Sequence, residues 1–169
     1  MTDLFDKVTA DQDPIRKLAS KIPGFQGYIE RENRRSADKL LRESLADQFE
    51  SVYKKIGYLQ KDLAKDNLEY VDDLEGAATK IRTFMDKVRG AAYGMSSFFD
   101  AVKVNQDVLA KIYDFDLALV AKIEELSHAV DNVESSVGTD GMPAAVRNLV
   151  SLSRDLVSTF DKRSEVITA

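Results

Sequence analysis

The sequence predicts an all-α protein: an antiparallel up-down-up-down four-helix bundle with long coiled-coil-like helices and a short N-terminal amphipathic helix. Three observations favour this class. Apolar residues recur at alternating steps of three and four along four long stretches. No stretch alternates as a strand does, and only 8 glycines and 3 prolines interrupt the 169 residues. We expect an N-terminal arm over residues 1–27 and the helical bundle over residues 28–169.

The N-terminal arm is expected to contain one short helix. Asp13 and Pro14 form a typical helix start, in which a capping side chain precedes proline at the first helical position. The helix should end before Pro23, and its apolar residues follow helical spacing: Ile15, Leu18 and Ile22. Residues 14–29 are basic and amphipathic, so the arm either folds back over one end of the bundle or lies on a membrane surface or a partner helix. The turn signal at Pro23 favours folding back.

The first two long helices are expected to form a hairpin, with the first over residues 28–65, from about Tyr28, and the second over residues 68–89. Asp66 and Glu69 have the spacing of a capping box, which favours a tight reversal between the helices. The apolar seam of the first helix comprises Leu45, Phe49, Val52, Ile56, Leu59 and Leu63. The seam of the second comprises Val71, Leu74, Ala78, Ile81, Met85 and Val88.

The stretch from Gly90 to Asp100 is small, aromatic and nearly uncharged. It predicts a break in the helix and then a short helix that ends near Val104. Glycines permit unusual backbone angles, and Tyr93 offers a ring and a hydroxyl as part of a cavity wall, so Gly90–Ser97 is a candidate site for small-molecule contact. The competing interpretation is a compact connection filled by its own aromatic rings.

The third long helix is expected over residues 105–137 and the fourth after a turn over residues 138–143. The seam of the third helix comprises Leu109, Ile112, Asp116, Leu119, Ile123, Leu126, Val130, Val133 and Val137. The seam of the fourth comprises Val146, Leu149, Ser153, Leu156, Phe160, Arg163 and Ile167. Both seams alternate steps of three and four, as expected for helices packed in a bundle.

Charged residues within these seams predict a buried polar layer. Asp116 is the polar residue of the third seam, Arg163 belongs to the fourth, and the first seam continues backward through Arg42 to Asp38. Aligning the turns places them at one level beside the Gly90–Ser97 break, so Arg42 or Arg163 should bind Asp116. One interpretation is a network that sets helix register. In the other, two arginines around one aspartate leave positive charge for a small anionic ligand, and the candidate ligand-binding residues are Arg42, Tyr93, Asp116 and Arg163.

Composition excludes several functional classes. With 24 basic and 29 acidic residues, the net charge of −5 argues against nucleic-acid binding, and the absence of cysteine excludes thiolate metal sites and cysteine nucleophiles. Glu125 and His128 share the spacing used twice by di-iron bundles, but His128 is the single histidine and should lie on the surface. We therefore expect no metal, no cofactor and no catalytic residues. The N-terminus resembles no signal peptide, so a cytoplasmic location is expected.

The sequence thus favours a non-catalytic helical-bundle interaction or scaffold protein. Its partner would be another protein or a second copy, because a first helix longer than the second could leave apolar seam uncovered. Two alternatives remain open. One is a small-molecule or anion-binding bundle with a site near Gly90–Ser97, and the other is a peripheral membrane-surface protein that uses residues 14–29.

Overall fold

The structure is a computed structural model that describes residues 12–28, 31–90 and 106–168. Five α-helices account for most of these residues, and the described ranges contain no strand. They are α1 (Gln12–Lys21), α2 (Arg34–Leu63), α3 (Val71–Gly90), α4 (Gln106–Ser136) and α5 (Met142–Thr168). Short 3-10 turns at Arg31–Asn33 and Leu68–Tyr70 precede α2 and α3. The predicted all-α class is confirmed.

The start of the first long helix differs from the prediction. α2 begins at Arg34 and has 30 residues, so it does not start near Tyr28. The reason lies in the preceding turn, where Gly24 and Gly27 have φ angles of +85° and +87°. These angles turn the chain away from a helical path and leave Tyr28 in a connection, with its side chain fully buried.

The predicted capping box between the first two long helices is wrong. Asn67, rather than Asp66, precedes the 3-10 turn, and no side-chain hydrogen bond caps that turn. Main-chain hydrogen bonds make the reversal instead: the Asn67 N–H donates to the Leu63 carbonyl oxygen at 2.8 Å, and the Tyr70 N–H donates to the Asn67 carbonyl oxygen at 3.2 Å. A tight reversal therefore forms without help from the carboxylates.

Two further predictions concern the connections between the helices. The break at Gly90–Ser97, with Tyr93, and the short helix to Val104 lie outside the described residues. The second reversal is described: α4 ends at Ser136, Gly138 turns the chain with a φ angle of +76°, and α5 begins at Met142. This is close to the predicted turn over residues 138–143.

The predicted seams form the core. Of the long-helix seam residues whose side chains are described, all are buried except Val71, which is half-buried, and Val137, which lies beyond the end of α4. α2 packs against α3 and α4 against α5, while α3 also packs against α5 and α2 against α4. The long helices therefore enclose one continuous core.

α1 folds back onto this core. It packs along α4, and Leu18 and Ile22 are fully buried. The Lys21 ammonium pairs with the Glu124 carboxylate on α4, and Gln48 Nε2 on α2 donates to the Lys21 carbonyl oxygen at 3.4 Å. The apolar face of the arm is thus covered by the other helices. A helix with the length and apolar character needed to span a bilayer is not found among the described residues.

Candidate functional site

A group of charged and phenolic side chains lies inside the core at one level of the helices. We call it the charged cluster, and it comprises Tyr28, Asp38, Arg42, Tyr113, Asp116 and Arg163. Asp116 and Arg163 are 0% exposed, Asp38 is 2% exposed and Arg42 is 6% exposed. Asp38 and Arg42 share one face of α2 because they are four residues apart, and that face is the backward continuation of the α2 seam.

Arg163 is the centre of the charged cluster. Its Nε donates to Asp116 Oδ1 at 2.7 Å, and its Nη2 donates to Asp38 Oδ1 at 2.8 Å. One guanidinium on α5 therefore joins α4 to α2 through two buried charge-assisted hydrogen bonds. The predicted pairing of Arg163 with Asp116 is present.

Of the two arginines predicted as alternative partners of Asp116, Arg42 takes another partner. Its Nε donates to Asp38 Oδ2 at 2.7 Å and its Nη1 to the Val88 carbonyl oxygen at 3.3 Å, so it binds Asp38 rather than Asp116. The charged cluster thus contains two guanidinium groups and two carboxylates. The surplus positive charge inferred from two arginines and one aspartate is not present among the described residues, because Asp38 neutralises the second arginine.

Two tyrosines complete the charged cluster, and neither was among the residues predicted for it from the sequence. The Tyr28 hydroxyl donates to Asp116 Oδ2 at 2.6 Å, and the Tyr28 backbone N–H donates to the Tyr113 hydroxyl oxygen at 2.6 Å. Tyr28 lies in a connection without periodicity, and Tyr113 lies beside the seam of α4. The one available signal was that Tyr113 is three residues before Asp116, a spacing that places both on nearby parts of the helix surface.

Burial shapes the ionisation of the charged cluster. It raises the pKa of Asp116, and the Arg163 cation and Tyr28 hydroxyl act in the opposite direction. It also raises the pKa of Tyr28 well above its usual value, and the Asp116 carboxylate adds to that effect. Burial by itself would lower the pKa of Arg163, but the Asp116 and Asp38 carboxylates outweigh it and raise this pKa. Arg163 therefore stays cationic and Tyr28 stays neutral at physiological pH.

One donor of the charged cluster is unused. Arg163 Nη1 is buried and has no hydrogen-bond partner among the described residues. Of the four residues predicted to bind a ligand, the structure brings together Arg42, Asp116 and Arg163, while Tyr93 lies outside the described residues. His128 is exposed, as predicted. The described residues contain no group of three or more His, Asp or Glu side chains placed to hold a metal ion.

A second candidate site lies on the surface, between α2 and α4 near their C-terminal ends. We call it the α2/α4 groove; its volume is about 220 Å³. It is lined by Lys55, Tyr58, Leu59, Asp62, Val130, Asp131 and Glu134. It includes no residue of the charged cluster. The same two helices also contact the C-terminal end of α1, through Gln48 and Glu124. These contacts lie further from the end of the bundle than the groove does.

Large exposed apolar side chains occur at this end of the bundle. Among the described residues they are Tyr58, Leu68 and Val137, which are 65%, 67% and 40% exposed. Leu68 follows the end of α2 and Val137 follows the end of α4, so all three lie near the end of the α2/α4 groove. Exposed apolar side chains gathered in one region are typical of a binding surface.

Comparison of the chain with protein-family models, curated proteins and solved structures finds no match. The charged cluster and the α2/α4 groove are the two features of the described residues that bear on function. The charged cluster offers buried, mutually paired ionisable groups, and the α2/α4 groove offers an accessible surface of mixed apolar and charged character.

Proposed function

We propose that this chain is a non-catalytic interaction or scaffold protein whose four long helices form a bundle and whose binding surface is the α2/α4 groove. The observation that carries this proposal is the exposure of Tyr58, 65% of which faces solvent within a groove between two rigid helices. The partner is another protein, and the cytoplasm is the proposed location.

The way the charged cluster uses its groups supports a structural rather than a catalytic role. Asp38 and Asp116 each accept hydrogen bonds from a guanidinium, and the Tyr28 hydroxyl donates to Asp116. A general acid or base must reach a proton on its substrate. These groups are instead buried and bonded to one another, so their pairing serves to align the helices.

The chemistry of the α2/α4 groove supports protein recognition. Tyrosine combines a large apolar ring with a hydroxyl and loses little conformational entropy when it is covered, which makes it a common anchor in protein interfaces. Tyr58 is on a helix whose buried face fixes its direction, and the other apolar residues that line the groove, Leu59 and Val130, belong to the buried core. A partner can therefore cover Tyr58 without rearranging the core.

Photocrosslinking in the expressing cells tests this proposal. A Tyr58→p-benzoylphenylalanine variant places a photoreactive group in the α2/α4 groove, and a Lys80→p-benzoylphenylalanine variant places it on an exposed position of α3. We expect one discrete partner protein crosslinked from position 58 and not from position 80, with the same pair recovered when the identified partner is purified. Identical adducts from both positions, or none from position 58, would contradict the proposal.

Self-association is a distinct outcome of the same experiment. The sequence favoured it because of uncovered seam on the first helix, but the described seam of α2 is buried within one chain. A crosslink from position 58 to a second copy, together with a concentration-dependent mass in sedimentation, would show that the partner is this protein itself. A hetero-complex predicts a constant monomer mass for the purified chain.

The membrane-surface alternative for residues 14–29 receives less support. Leu18 and Ile22 are fully buried and Phe25 is also buried. The arm would have to leave α4 before its apolar face could enter a lipid surface, and that would expose core residues of the bundle to water.

A small-anion site is a second candidate, favoured by the unused Arg163 Nη1 donor. In this proposal a small anion accepts a hydrogen bond from Arg163 Nη1. Inorganic phosphate is the probe, added at constant ionic strength while thermal unfolding is followed. A bound ligand raises the melting temperature of the wild type, and Arg163→Lys, which removes Nη1, should abolish the rise. A wild-type melting temperature that phosphate leaves unchanged would overturn this candidate.

A further inference from the structure

We infer that the α2/α4 groove binds a basic amphipathic helix of a partner protein. This inference rests on the proposed function and adds the chemical class of the partner. Three observations carry it. The amphipathic helix α1 already packs beside the groove. Beyond α1, one row of side chains on α2 and one on α4 run on to the end of the bundle, and together these two rows carry more acidic than basic side chains.

α1 shows how these helices hold another helix. Its apolar face is buried against the bundle, with Leu18 and Ile22 fully covered. Its basic residue Lys21 pairs with Glu124 of α4, and its last carbonyl group accepts a hydrogen bond from Gln48 of α2. A short helix with an apolar face and a basic edge is therefore an arrangement that α2 and α4 already accommodate.

The surface beyond α1 continues along the same two helices. On α4 the row runs from Glu124 through Ser127, Asp131 and Glu134, and on α2 it runs from Gln48 through Lys55, Tyr58 and Asp62. The rows face each other, because Lys55 Nζ lies 3.5 Å from both Ser127 Oγ and Asp131 Oδ1. At ~1.5 Å per residue, the distance along α2 from position 48 to position 62 is ~21 Å, which matches a helix of about four turns.

The charge of this continuation selects the partner. Three carboxylates, on Asp62, Asp131 and Glu134, line the groove together with the one ammonium of Lys55. Lys55 pairs with Asp131 at 3.5 Å, and no ion pair within the described part of the chain involves Asp62 or Glu134. The groove thus carries excess negative charge on its α4 wall, and the exposed apolar group within it is the ring of Tyr58. A helix with apolar residues at intervals of three and four, flanked by Lys or Arg, complements both features.

A second copy of this chain fits the groove less well. The chain has a net charge of −5, so two copies repel each other at long range. Its own basic amphipathic helix, α1, has its apolar residues buried in the core. The complementary helix is therefore expected on a different protein.

Binding of two designed peptides tests the inference. Both have 16 residues with leucines at intervals of three and four, and they differ only in carrying lysine or glutamate at the flanking positions. Amide chemical-shift changes in the full-length protein report where each peptide binds, and fluorescence anisotropy reports affinity. We expect the lysine peptide to shift residues 55–62 and 127–134 and to bind about tenfold or more tightly than its glutamate twin. Its affinity should fall as salt is added.

Matched protein variants separate local from overall charge. Asp62→Lys with Glu134→Lys reverses the two unpaired carboxylates of the groove and should weaken the lysine peptide about tenfold or more. Asp86→Lys with Asp155→Lys makes the same change in net charge at exposed positions of α3 and α5, and should leave the affinity nearly unchanged. Equal losses in the two double variants would overturn the inference, because they would show attraction to net charge alone.

The remaining outcomes distinguish this inference from the proposed function. Equal binding of both peptides at residues 55–62 and 127–134 would overturn the basic class of partner and leave the α2/α4 groove as an interaction surface. Absence of binding by both peptides, together with absence of a crosslink from position 58, would overturn both. A crosslink from position 58 to a second copy would replace the heterologous partner with self-association.

Discussion

Arg163 shows how a full positive charge is kept within an apolar bundle. Burying an isolated guanidinium is costly, and the cost falls only when carboxylates and hydrogen bonds replace the lost water. Asp116 and Asp38 provide these partners at 2.7 and 2.8 Å from Arg163 nitrogens. An intact buried ion pair adds little to the free energy of unfolding, but removing one of its partners lowers that free energy strongly, because the other charge is left buried without a partner.

The first prediction concerns Asp116. Asp116→Ala leaves Arg163 with one carboxylate and leaves the Tyr28 hydroxyl without its acceptor, so we expect a loss of about 3–5 kcal/mol in the free energy of unfolding. Urea unfolding at neutral pH measures it. Asp114→Ala on the exposed side of the same helix is the control and should change stability by less than about 0.5 kcal/mol. Equal midpoints for wild type and Asp116→Ala would show that the carboxylate does not support the charged cluster.

The second prediction concerns Tyr28 at alkaline pH. Because burial raises the pKa of this phenol in the folded protein, the unfolded chain releases its proton first as pH rises above about 10. The stability that neutral Tyr28 contributes is present below that pH and is lost above it, by about 1.4 kcal/mol per pH unit. At neutral pH, Tyr28→Phe should cost about 1.5–3 kcal/mol, because it removes a hydrogen bond to a carboxylate.

The alkaline effect is measured by urea unfolding of both proteins between neutral pH and pH values above 10. The difference in stability between wild type and Tyr28→Phe should shrink as pH rises. A constant difference would indicate that Tyr28 ionises equally in the folded and unfolded states. Tyrosinate absorbance gives an independent measurement, since Tyr28 should titrate only when the chain unfolds.

At the scale of elements, the turn after α1 attaches the arm to the bundle. α1 has 10 residues, too few for a stable isolated helix in water. Its position depends on the chain reversing through Gly27, so that the Tyr28 N–H reaches the Tyr113 hydroxyl oxygen at 2.6 Å and the Tyr28 ring packs near the Tyr113 ring. The arm and the charged cluster are thus parts of one packing arrangement.

The third prediction tests that turn. Gly27 has a φ angle of +87°, and a Cβ at this position would lie 2.7 Å from the Tyr113 hydroxyl oxygen. Gly27→Ala should therefore destabilise the protein by about 1–3 kcal/mol. Gly76→Ala is the matched control in the exposed part of α3, where a Cβ meets no atom within 4 Å, and it should stabilise by about 0.5–1 kcal/mol. Thermal unfolding of both variants should give shifts of opposite sign.

The long helices could be predicted because the same apolar spacing is repeated over many turns in each seam. The connections between helices were predicted from patterns of only a few residues, and these predictions were less accurate. Tyr28 looked like the start of a helix, although two glycines with positive φ angles held it outside α2. Asp66 and Glu69 had capping spacing, but main-chain hydrogen bonds were sufficient for the reversal. The helix start predicted at Tyr28 failed because that side chain packs in the core outside α2. The capping box failed because a main-chain turn already supplies the hydrogen bonds of the reversal.

The charged cluster was predictable from helix register but not in its pairing. Counting along the helices from the reversals placed Arg42, Asp116 and Arg163 at one level, and this predicted that one of the two arginines binds Asp116. Partner choice depends on side-chain direction, so the pairing of Arg42 with Asp38 four residues away on the same helix was missed. Tyr28 reaches Asp116 from 88 positions away in the chain. No periodic signal indicates such a contact.

At the scale of the whole molecule, the charged cluster joins segments that are distant in sequence. Arg163 on α5 contacts α2 and α4, Arg42 contacts the last part of α3, and Tyr28 adds the connection after α1. A buried polar network of this kind restricts how helices slide past one another, because each alternative register leaves charges without partners. The apolar seams alone would tolerate shifts of a heptad.

The fourth prediction separates register from stability. Replacing the charged cluster by apolar residues, with Tyr28→Phe, Asp38→Leu, Arg42→Met, Asp116→Leu and Arg163→Met, should give a free energy of unfolding within about 2 kcal/mol of the wild type or higher. The amide spectrum should nevertheless show more than one species, since several registers become similar in energy. A single sharp spectrum would show that the seams suffice to align the helices.

The position of Arg163 in the chain also determines when the charged cluster can be completed during synthesis. Arg163 and Asp38 are 125 positions apart, and Arg163 leaves the ribosome after every other member of the charged cluster. Asp38 can pair with Arg42, and Asp116 with the Tyr28 hydroxyl, before Arg163 is made. The two hydrogen bonds that join α5 to α2 and α4 through Arg163 therefore form last, and they complete the charged cluster.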